Sequence, residues 1–251
     1  MIDRCGRNID YLRISVTDRC NLRCIYCMPE EGIRLTEREK ILQEPEIIRV
    51  CKVMAELGIT KIKITGGEPL VRSRIPELIY QIKEISGIEK VTLTTNGILL
   101  KGQMKALAES GLDSLNISLD TLDRECFCKI TRRDLLDGTL DGIKEAMKYP
   151  EVQLKINCVP LGLEEQDLCG IAEFARKNLV HVRFIEMMPI GYGSSFAGMP
   201  QEKIMNLVEQ KFGKMIPYNG KPLGNGPCTY YTVDGFEGKI GFISAISHKF
   251  C

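Results

Sequence analysis

The stretch LRISVTDRCNLRCIYC, residues 12–27, starts as a strand and ends as a loop that carries three cysteines. Apolar and polar residues alternate over residues 12–17, so one face of this strand is apolar and the other is polar. Similar strand-like runs return five more times, and amphipathic stretches of helical length separate them. The predicted strands are 12–16, 61–65, 91–95, 114–119, 153–159 and 181–186, and the predicted helices between them are 46–57, 75–86, 103–110, 136–148 and 165–177.

Strands that alternate with helices of this length are joined by right-handed parallel crossovers. The sequence therefore predicts an α/β fold in which a parallel sheet forms a partial (β/α)6 barrel. Past residue 189 the pattern changes to glycine-rich loops, a helix over 201–212, and short β-like pieces from 229 onward. We expect a barrel domain over 1–215, and a C-terminal extension over 216–251 that begins a cap.

One face of the predicted strands is polar along much of the sheet. Its members are Arg13, Ser15, Thr17, Lys63, Thr65, Thr92, Thr94, Asn96, Asn116, Ser118, Asp120, Lys155 and Asn157. Because each buried polar group without a partner costs roughly 1–3 kcal/mol, a dry core is untenable on this side. We therefore expect a wet cavity that holds a ligand. The alternative is an open sheet whose polar face meets solvent, although parallel sheets are usually covered on both faces.

Composition excludes several classes of protein. The chain has 251 residues, 44% of them hydrophobic, and a formal net charge of +1, which gives no reason to expect nucleic acid or an anionic membrane as a partner. It contains no apolar run of 18 residues and no apolar segment near its start that would predict a signal peptide. Eleven cysteines without a secretion signal fit a reducing compartment, so we expect a cytosolic protein.

Cys20, Cys24 and Cys27 are candidate ligands of a 4Fe-4S cluster. Three thiolates occupy three irons of a cubane and leave the fourth iron without a protein ligand, which favours chemistry over simple electron transfer. A zinc site is the first alternative, but structural zinc needs four ligands, and the next cysteine is Cys51. Three unconnected thiols are the second alternative.

The turn TGGEP, residues 65–69, follows the second strand at the edge where parallel barrels place their active sites. We expect Gly66 and Gly67 to adopt a backbone conformation closed to other residues, so that the chain approaches a ligand closely. The Glu68 carboxylate can accept a hydrogen bond from an ammonium group. A plain strand-to-helix corner is the alternative.

Four cations, Arg13, Lys63, Lys155 and Arg183, are predicted to face the same cavity. Converging positive charges need an anion or paired carboxylates, and phosphate matches Arg and Lys donors. A nucleoside triphosphate would satisfy them. The alternative is a set of internal salt bridges with Asp120 or Glu186.

Two of these motifs carry a resemblance to a known family. The spacing C-x3-C-x2-C, with Tyr26 before the last cysteine, followed by TGGEP, resembles the radical S-adenosylmethionine (SAM) enzymes, in which the open iron binds SAM. Residues 12–20, 27–30, 93–97, 116–120 and 183–188, taken in this order, are similar to the GTP 3',8-cyclase family of molybdenum cofactor biosynthesis. The resemblance runs from about Arg7 to Cys251 and implies a partial TIM-like barrel of the radical SAM type.

The resemblance implies roles for single residues. Cys20, Cys24 and Cys27 would hold the SAM-binding cluster. The implied SAM contacts are Tyr26, Gly67, Glu68, Ser118 and Met188, and the implied GTP contacts are Arg13, Lys63, Thr94 and Lys155. Met188 has a strong alternative as a core methionine. Lys63 stands where the family typically has arginine, so it keeps the charge but lacks the bidentate fork.

The implied activity is conversion of GTP to (8S)-3',8-cyclo-7,8-dihydroguanosine 5'-triphosphate. One electron splits SAM, and the resulting 5'-deoxyadenosyl radical takes hydrogen from C3' of GTP, so no side chain is needed as a catalytic base. The implied partners are an external electron donor and the downstream cyclic pyranopterin monophosphate synthase, and the resemblance leaves a homodimer open. The alternatives are another radical SAM enzyme, such as a peptide-modifying one, and a non-enzymatic iron-sulfur protein.

The last residue carries one more expectation. Cys251 resembles the first ligand of the family's second 4Fe-4S cluster, whose other two cysteines do not follow in this sequence. We therefore expect a fragment or a short form that lacks the second cluster. Its SAM cleavage would survive, while GTP cyclisation would be lost or very weak.

Overall fold

The computed structural model describes residues 2, 4 and 6–247, and these form two compact units. The first unit comprises Met1–Asn21, Arg34–Asn116 and Gly138–Gln153, and the second comprises Leu22–Ile33, Ile117–Asp137 and Leu154–Cys251. Cys251, the expected ligand of a second cluster, lies outside the described residues. The domain boundary expected near residue 215 stays a prediction.

Helices and strands alternate as the sequence predicts. The strands of the described residues are β1 (Tyr11–Ser15), β2 (Lys61–Thr65), β3 (Lys90–Thr95), β4 (Ser114–Ser118), β5 (Gln153–Cys158), β6 (His181–Ile185), β7 (Met215–Pro217), β8 (Thr229–Val233) and β9 (Ile240–Ile243). The α-helices are α1 (Glu44–Glu56), α2 (Ile75–Lys83), α3 (Met104–Glu109), α4 (Arg124–Thr131), α5 (Leu136–Ala146), α6 (Leu168–Lys177) and α7 (Gln201–Phe212). All six predicted strand positions and all predicted helix positions are confirmed, with small shifts at the ends.

In the first unit the strands lie in the order β1, β2, β3, β4, and β2 pairs in parallel with both β1 and β3. Ile62 and Ile64 of β2 are fully buried, as are Val91 and Leu93 of β3. These side chains form the apolar face that the alternation predicts, and α2, which contacts β3, buries its own apolar stripe. The polar face is mixed, since Arg13 is exposed whereas Asn116 is only 2% exposed.

In the second unit the strand order is β5, β6, β9, β8, β7. The pairs β5 with β6 and β6 with β9 are parallel, whereas β8 pairs antiparallel with β9 and with β7. The β-like pieces predicted beyond residue 229 are thus real strands, and β9 joins them to the parallel strands through β6.

Helix α4 was not predicted, although its sequence has an ordinary start signal. The Asp123 carboxylate accepts a hydrogen bond from the Cys126 N–H at 2.7 Å, which caps the helix, and Phe127 and Ile130 are buried. Asp167 does the same at α6 by accepting from the Gly170 N–H at 2.8 Å. This cap explains why α6 begins at residue 168 and not at 165 as expected.

Among the described residues, no helix has both the length and the apolar character needed to cross a membrane.

The close packing of α5 in the first unit gives a stability prediction. A Cβ added at Gly142 would clash with the Gly97 carbonyl and lie 3.2 Å from Leu100 Cβ, whereas one at Gly138 would meet the Ile98 methyl group at 3.3 Å. Gly142→Ala should lower the free energy of unfolding by about 1–3 kcal/mol because backbone must move. The matched variant Gly138→Ala should be neutral or gain up to about 1 kcal/mol from helix propensity. Urea unfolding checks both, and equal effects of the two variants would contradict the packing argument.

Candidate functional site

The cysteine loop of the second unit, residues 22–33, is attached to the end of α4. The backbone N–H groups of Arg23 and Ile25 donate to the carbonyls of Thr131 at 3.0 Å and Ile130 at 2.9 Å. Carbonyls in the last turn of a helix have no partner within the helix, so they are available to bind a neighbouring chain segment. The helix that the sequence did not predict is therefore the support of the predicted metal-binding loop.

Arg132, the residue that ends α4, holds the loop at two places. Its guanidinium donates from Nη1 to the carbonyls of Arg23 and Met28, each at 2.9 Å. Its backbone is left-handed, with φ of 55°, a conformation that usually favours glycine. Between those two carbonyls, the Cys27 N–H donates to the Cys24 carbonyl at 2.9 Å and closes a tight turn.

The chemistry of the cysteines fits an iron-sulfur cluster. Cys20, Cys24 and Cys27 are thiols outside any disulfide bond, and Cys27 is exposed while the other two are half-buried. Within residues 2, 4 and 6–247, no three or more His, Cys, Asp or Glu side chains converge as ligands of one metal ion. A cubane cluster does not require the three thiolates to converge on one ion, because each thiolate binds its own iron.

Tyr26 fixes this loop from within the second unit. Its hydroxyl donates to Asp120 Oδ2 at 2.7 Å, and the residue packs against the buried cluster of Cys126, Ile130 and Leu161. Asp120 Oδ1 accepts from the Val159 N–H at 2.7 Å. Both Tyr26 and Asp120 were singled out in the sequence, but their hydrogen bond joins positions too far apart in the chain to be predicted.

Burial dominates the ionisation of this pair. It raises the pKa of Asp120 to about 6, against the opposing effect of the hydrogen bonds from Val159 and Tyr26. Burial, together with the neighbouring Asp120 charge, raises the pKa of Tyr26 well above its ordinary value. Tyr26 therefore stays protonated and acts as the donor in this hydrogen bond. Its expected contact with SAM stays a prediction.

In the first unit, the turn at residues 66–68 packs directly on the segment after β1. The Gly67 N–H donates to the Thr17 carbonyl at 2.7 Å, and the Glu68 N–H donates to the Arg19 carbonyl at 2.8 Å. A Cβ at Gly66 would lie 2.6 Å from the Thr17 carbonyl oxygen, and one at Gly67 would lie 2.7 Å from the Arg19 carbonyl carbon. These contacts leave no room for a side chain.

The expected reason for the two glycines was wrong. Neither Gly66 nor Gly67 has a positive φ, so any residue could adopt the backbone conformation. Glycine is required because two backbone segments approach each other closely. The approach fixes the position of the chain just before Cys20.

Glu68 is 1% exposed and serves as a hydrogen-bond hub within the first unit. Its Oε1 accepts from the Leu70 N–H at 3.0 Å and the Thr95 hydroxyl at 2.6 Å, and its Oε2 accepts from the Asn96 N–H at 2.6 Å. Burial raises the pKa of Glu68, while these donors oppose the rise. A carboxylate has about four lone-pair sites, so one site at Oε2 remains for an ammonium donor.

The two other residues of the implied SAM set lie in the second unit. Ser118 ends β4 and is half-buried. Met188 is 38% exposed, which removes the alternative that it is a core methionine. Its carbonyl accepts from the Ile190 N–H at 2.8 Å.

The predicted cations fall into both units. In the first, Arg13 and Lys63 are register partners on adjacent strands, and Thr94 Oγ1 accepts from Asn116 Nδ2 at 3.4 Å. In the second, Lys155 is 2% exposed and Arg183 is 7% exposed. Arg183 Nε donates to Asn157 Oδ1 at 2.9 Å, across the β5 and β6 pairing. Within each unit, the cations therefore line the polar strand face that the alternation predicts.

Comparison with known proteins shows which families and solved structures this chain is similar to. The chain matches the model of the radical SAM superfamily over residues 14–175, and the model of the molybdenum cofactor synthesis C-terminal domain over residues 180–251. A solved structure of Streptococcus suis SuiB bound to S-adenosylmethionine is similar with a TM-score of 0.64 at 19% identity, covering 80% of this chain and 46% of that one. This likeness shows the fold, and the predicted radical SAM type of α/β fold is confirmed.

Curated relatives show which family within the superfamily this chain belongs to. A GTP 3',8-cyclase of Clostridium perfringens (strain SM101 / Type A) is 46% identical, covering 100% of this chain and 77% of the relative. Molybdenum cofactor biosynthesis protein 1 of Dictyostelium discoideum is 41% identical, covering 100% of this chain and 40% of the relative. The chain therefore belongs to the radical SAM superfamily and, within it, to the GTP 3',8-cyclase family.

The hydrogen bond between Tyr26 and Asp120 should be measurable. Tyr26→Phe leaves a buried carboxylate with one donor fewer, so the free energy of unfolding should fall by about 1–3 kcal/mol. Tyr80→Phe is the matched control, because Tyr80 is 55% exposed, and it should change stability by less than about 0.5 kcal/mol. Chemical denaturation of the iron-free chain measures both. Equal stability of Tyr26→Phe and wild type would contradict the role of this contact.

The raised pKa of Asp120, about 6, predicts a pH dependence. In the folded chain Asp120 takes up its proton near pH 6, whereas an unfolded aspartate does so near its ordinary value of about 4. Between these values a falling pH stabilises wild type relative to Asp120→Asn, by about 2–3 kcal/mol in total. Unfolding of both proteins at several pH values gives the difference, which should level off below about pH 4. A difference that is independent of pH would refute the buried charge.

Proposed function

We propose that this chain converts GTP to (8S)-3',8-cyclo-7,8-dihydroguanosine 5'-triphosphate as a radical SAM enzyme of molybdenum cofactor biosynthesis. The observation that carries the proposal is that the chain belongs to the GTP 3',8-cyclase family, with relatives matched over its full length. Lys155 and Arg183 of the second unit are buried cations, and both side chains offer donors that phosphate oxygens accept. The fold alone would not select this substrate.

The cofactors follow from the superfamily, which implies a 4Fe-4S cluster and SAM. Cys20, Cys24 and Cys27 would hold the cluster, and SAM would meet Tyr26, Gly67, Glu68, Ser118 and Met188. When bound, the two groups together supply one-electron chemistry that no side chain can provide.

The work of the protein side chains is to bind, orient and hold. Arg132 and the Tyr26 hydroxyl keep the cysteine loop in one conformation through contacts of 2.9 Å and 2.7 Å. A fixed position matters because a reactive intermediate must form next to the atom that it attacks. No residue is assigned as a general base, since transfer of a hydrogen atom needs none.

GTP would contact Arg13, Lys63, Thr94 and Lys155, and the three cations among them would bind its phosphate groups. Lys63 keeps a positive charge where the family typically has arginine. An ammonium group binds phosphate as a point charge, whereas a guanidinium binds it through two parallel donors. We infer that Lys63 contributes to attraction more than to orientation.

Other expectations stay predictions. They are a second 4Fe-4S cluster that only a full-length chain would hold, with Cys251 as its first ligand, an external electron donor, the downstream synthase as a partner, a homodimer that the resemblance leaves open, and a cytosolic location. The structural likeness to other radical SAM proteins supports only the fold, so a peptide-modifying activity has no observation of its own in favour of it.

Anaerobic reconstitution tests the proposal. Wild type should take up about four irons, change its electron paramagnetic resonance spectrum on addition of SAM, and form 5'-deoxyadenosine under dithionite. With GTP present, mass spectrometry should detect the cyclised nucleotide only at a very low level, as expected for a protein that holds a single cluster. Cys24→Ser should lose most of its iron and all SAM cleavage, because one of three ligands is missing.

The matched control for this test is Cys169→Ser, since Cys169 is a half-buried thiol on α6, outside the loop. It should keep iron and SAM cleavage within about twofold of wild type. Full iron content in Cys24→Ser would refute the cluster site. A spectrum that does not change on addition of SAM would favour a non-enzymatic iron-sulfur protein. Modification of a peptide substrate that GTP does not inhibit would favour the peptide-modifying alternative.

A further inference from the structure

Tyr230, on β8 of the second unit, buries a hydroxyl group that has no hydrogen-bond partner of ordinary geometry in the described part of the chain, although Cys228 and Arg183 lie close enough to affect its pKa. The residue is 7% exposed. Buried polar groups of folded proteins are nearly always hydrogen-bonded, and an unpaired one destabilises the fold. An exception of this kind indicates that the group has a partner that the protein chain does not provide.

The hydroxyl lies next to two buried cations. A Cβ placed on Gly224 would be 3.6 Å from Tyr230 Oη, 3.9 Å from Arg183 Nη1 and 3.9 Å from Lys155 Cε. The three side chains come from three strands, β8, β6 and β5, and surround the same point. Gly224 carries no side chain there, and a methyl group at this point would meet its described neighbours only at ordinary contact distances.

Two positively charged side chains lie at this point. Lys155 and Arg183 are both more than nine-tenths buried. His181, the register partner of Lys155, adds no charge at neutral pH, because burial and the nearby cations Lys155, Lys239 and Arg183 lower its pKa to about 4. Arg183 Nε donates to Asn157 Oδ1 at 2.9 Å, which orients the guanidinium.

Tyr230 is suited to donate to an anion. Burial raises the pKa of its hydroxyl, so the group keeps its proton at neutral pH. Lysine and arginine offer only donors, and a protonated tyrosine beside them can add a third. A phosphate group has enough acceptor oxygens to satisfy all of them at once.

We propose that Tyr230 is a phosphate-binding residue, whose hydroxyl donates to a phosphate oxygen of the nucleotide that Lys155 and Arg183 neutralise. The inference deepens the proposed function and rests on it, since it assumes a nucleoside triphosphate as substrate. Tyr230 thus joins Lys155 as a binding residue, although it lies in the C-terminal part of the chain and was not selected from the sequence.

Equilibrium binding to the iron-loaded protein under anaerobic conditions tests the proposal. The ligands are GTP, inorganic triphosphate and guanosine, which has no phosphate. Tyr230→Phe should lower the affinity for GTP and for triphosphate by at least about tenfold, because a hydrogen bond to a charged group is lost. The affinity for guanosine should not change. Tyr231→Phe is the matched control. Tyr231 is its half-buried neighbour, whose ring meets Phe242 at 5.8 Å, and binding should stay within about twofold.

Thermal unfolding without ligand separates a binding role from a structural one. Removing a hydroxyl that lacks a partner should leave the melting temperature of Tyr230→Phe equal to or above that of wild type. A lower melting temperature would show that the hydroxyl has a partner in the ligand-free protein, such as a bridging water, and would overturn the proposal. Gly224→Ala gives a second test: its methyl group meets the three side chains at ordinary contact distances and occupies the point that they surround, so GTP binding should weaken.

The results distinguish this inference from the proposed function. If wild type binds GTP and Tyr230→Phe binds it equally well, the inference fails and the proposed function stands. Wild type could bind GTP no more tightly than inorganic triphosphate, while Tyr230→Phe lowers the affinity for triphosphate. In that case the anion site stands, and GTP as the substrate is refuted. If wild type binds neither ligand, both fail.

Discussion

The conformation of the cysteine loop depends on the carbonyl groups that end α4 and on the guanidinium of Arg132. The loop contains no helix or strand, so most of its backbone groups need partners from elsewhere. Thr131 and Ile130 accept from the loop on one side, and Arg132 donates to it on the other. The backbone around Cys24 and Cys27 is therefore held in place by α4 and by Arg132.

The polar and apolar faces of the strands were predictable because each depends on neighbours in the sequence. Ile62 and Ile64 are buried, and Lys63 between them is not, as alternation requires. The ends of elements were less predictable where a side chain decides them. The Asp167 cap moves the start of α6, and the apolar pattern of the helix does not contain that information.

The parts of the site that escaped prediction are contacts between distant segments. The bond from Tyr26 to Asp120 spans 94 positions, and the steric role of Gly67 depends on where the Arg19 carbonyl lies. Tyr230 is the clearest case. A tyrosine in a strand normally indicates packing, and only three-dimensional neighbours reveal that its hydroxyl lies near Lys155 and Arg183 and has no hydrogen-bond partner of ordinary geometry among the described residues.

The left-handed backbone of Arg132 bears on protein engineering. Replacing a non-glycine residue at such a helix end by glycine is a standard way to stabilise a protein, because it relieves about 1 kcal/mol of backbone strain. Here the strained residue also donates to the Arg23 and Met28 carbonyls. The glycine would improve the helix end and release the loop that follows residue 21, so a melting curve alone would be a misleading guide to whether the variant still assembles its metal centre.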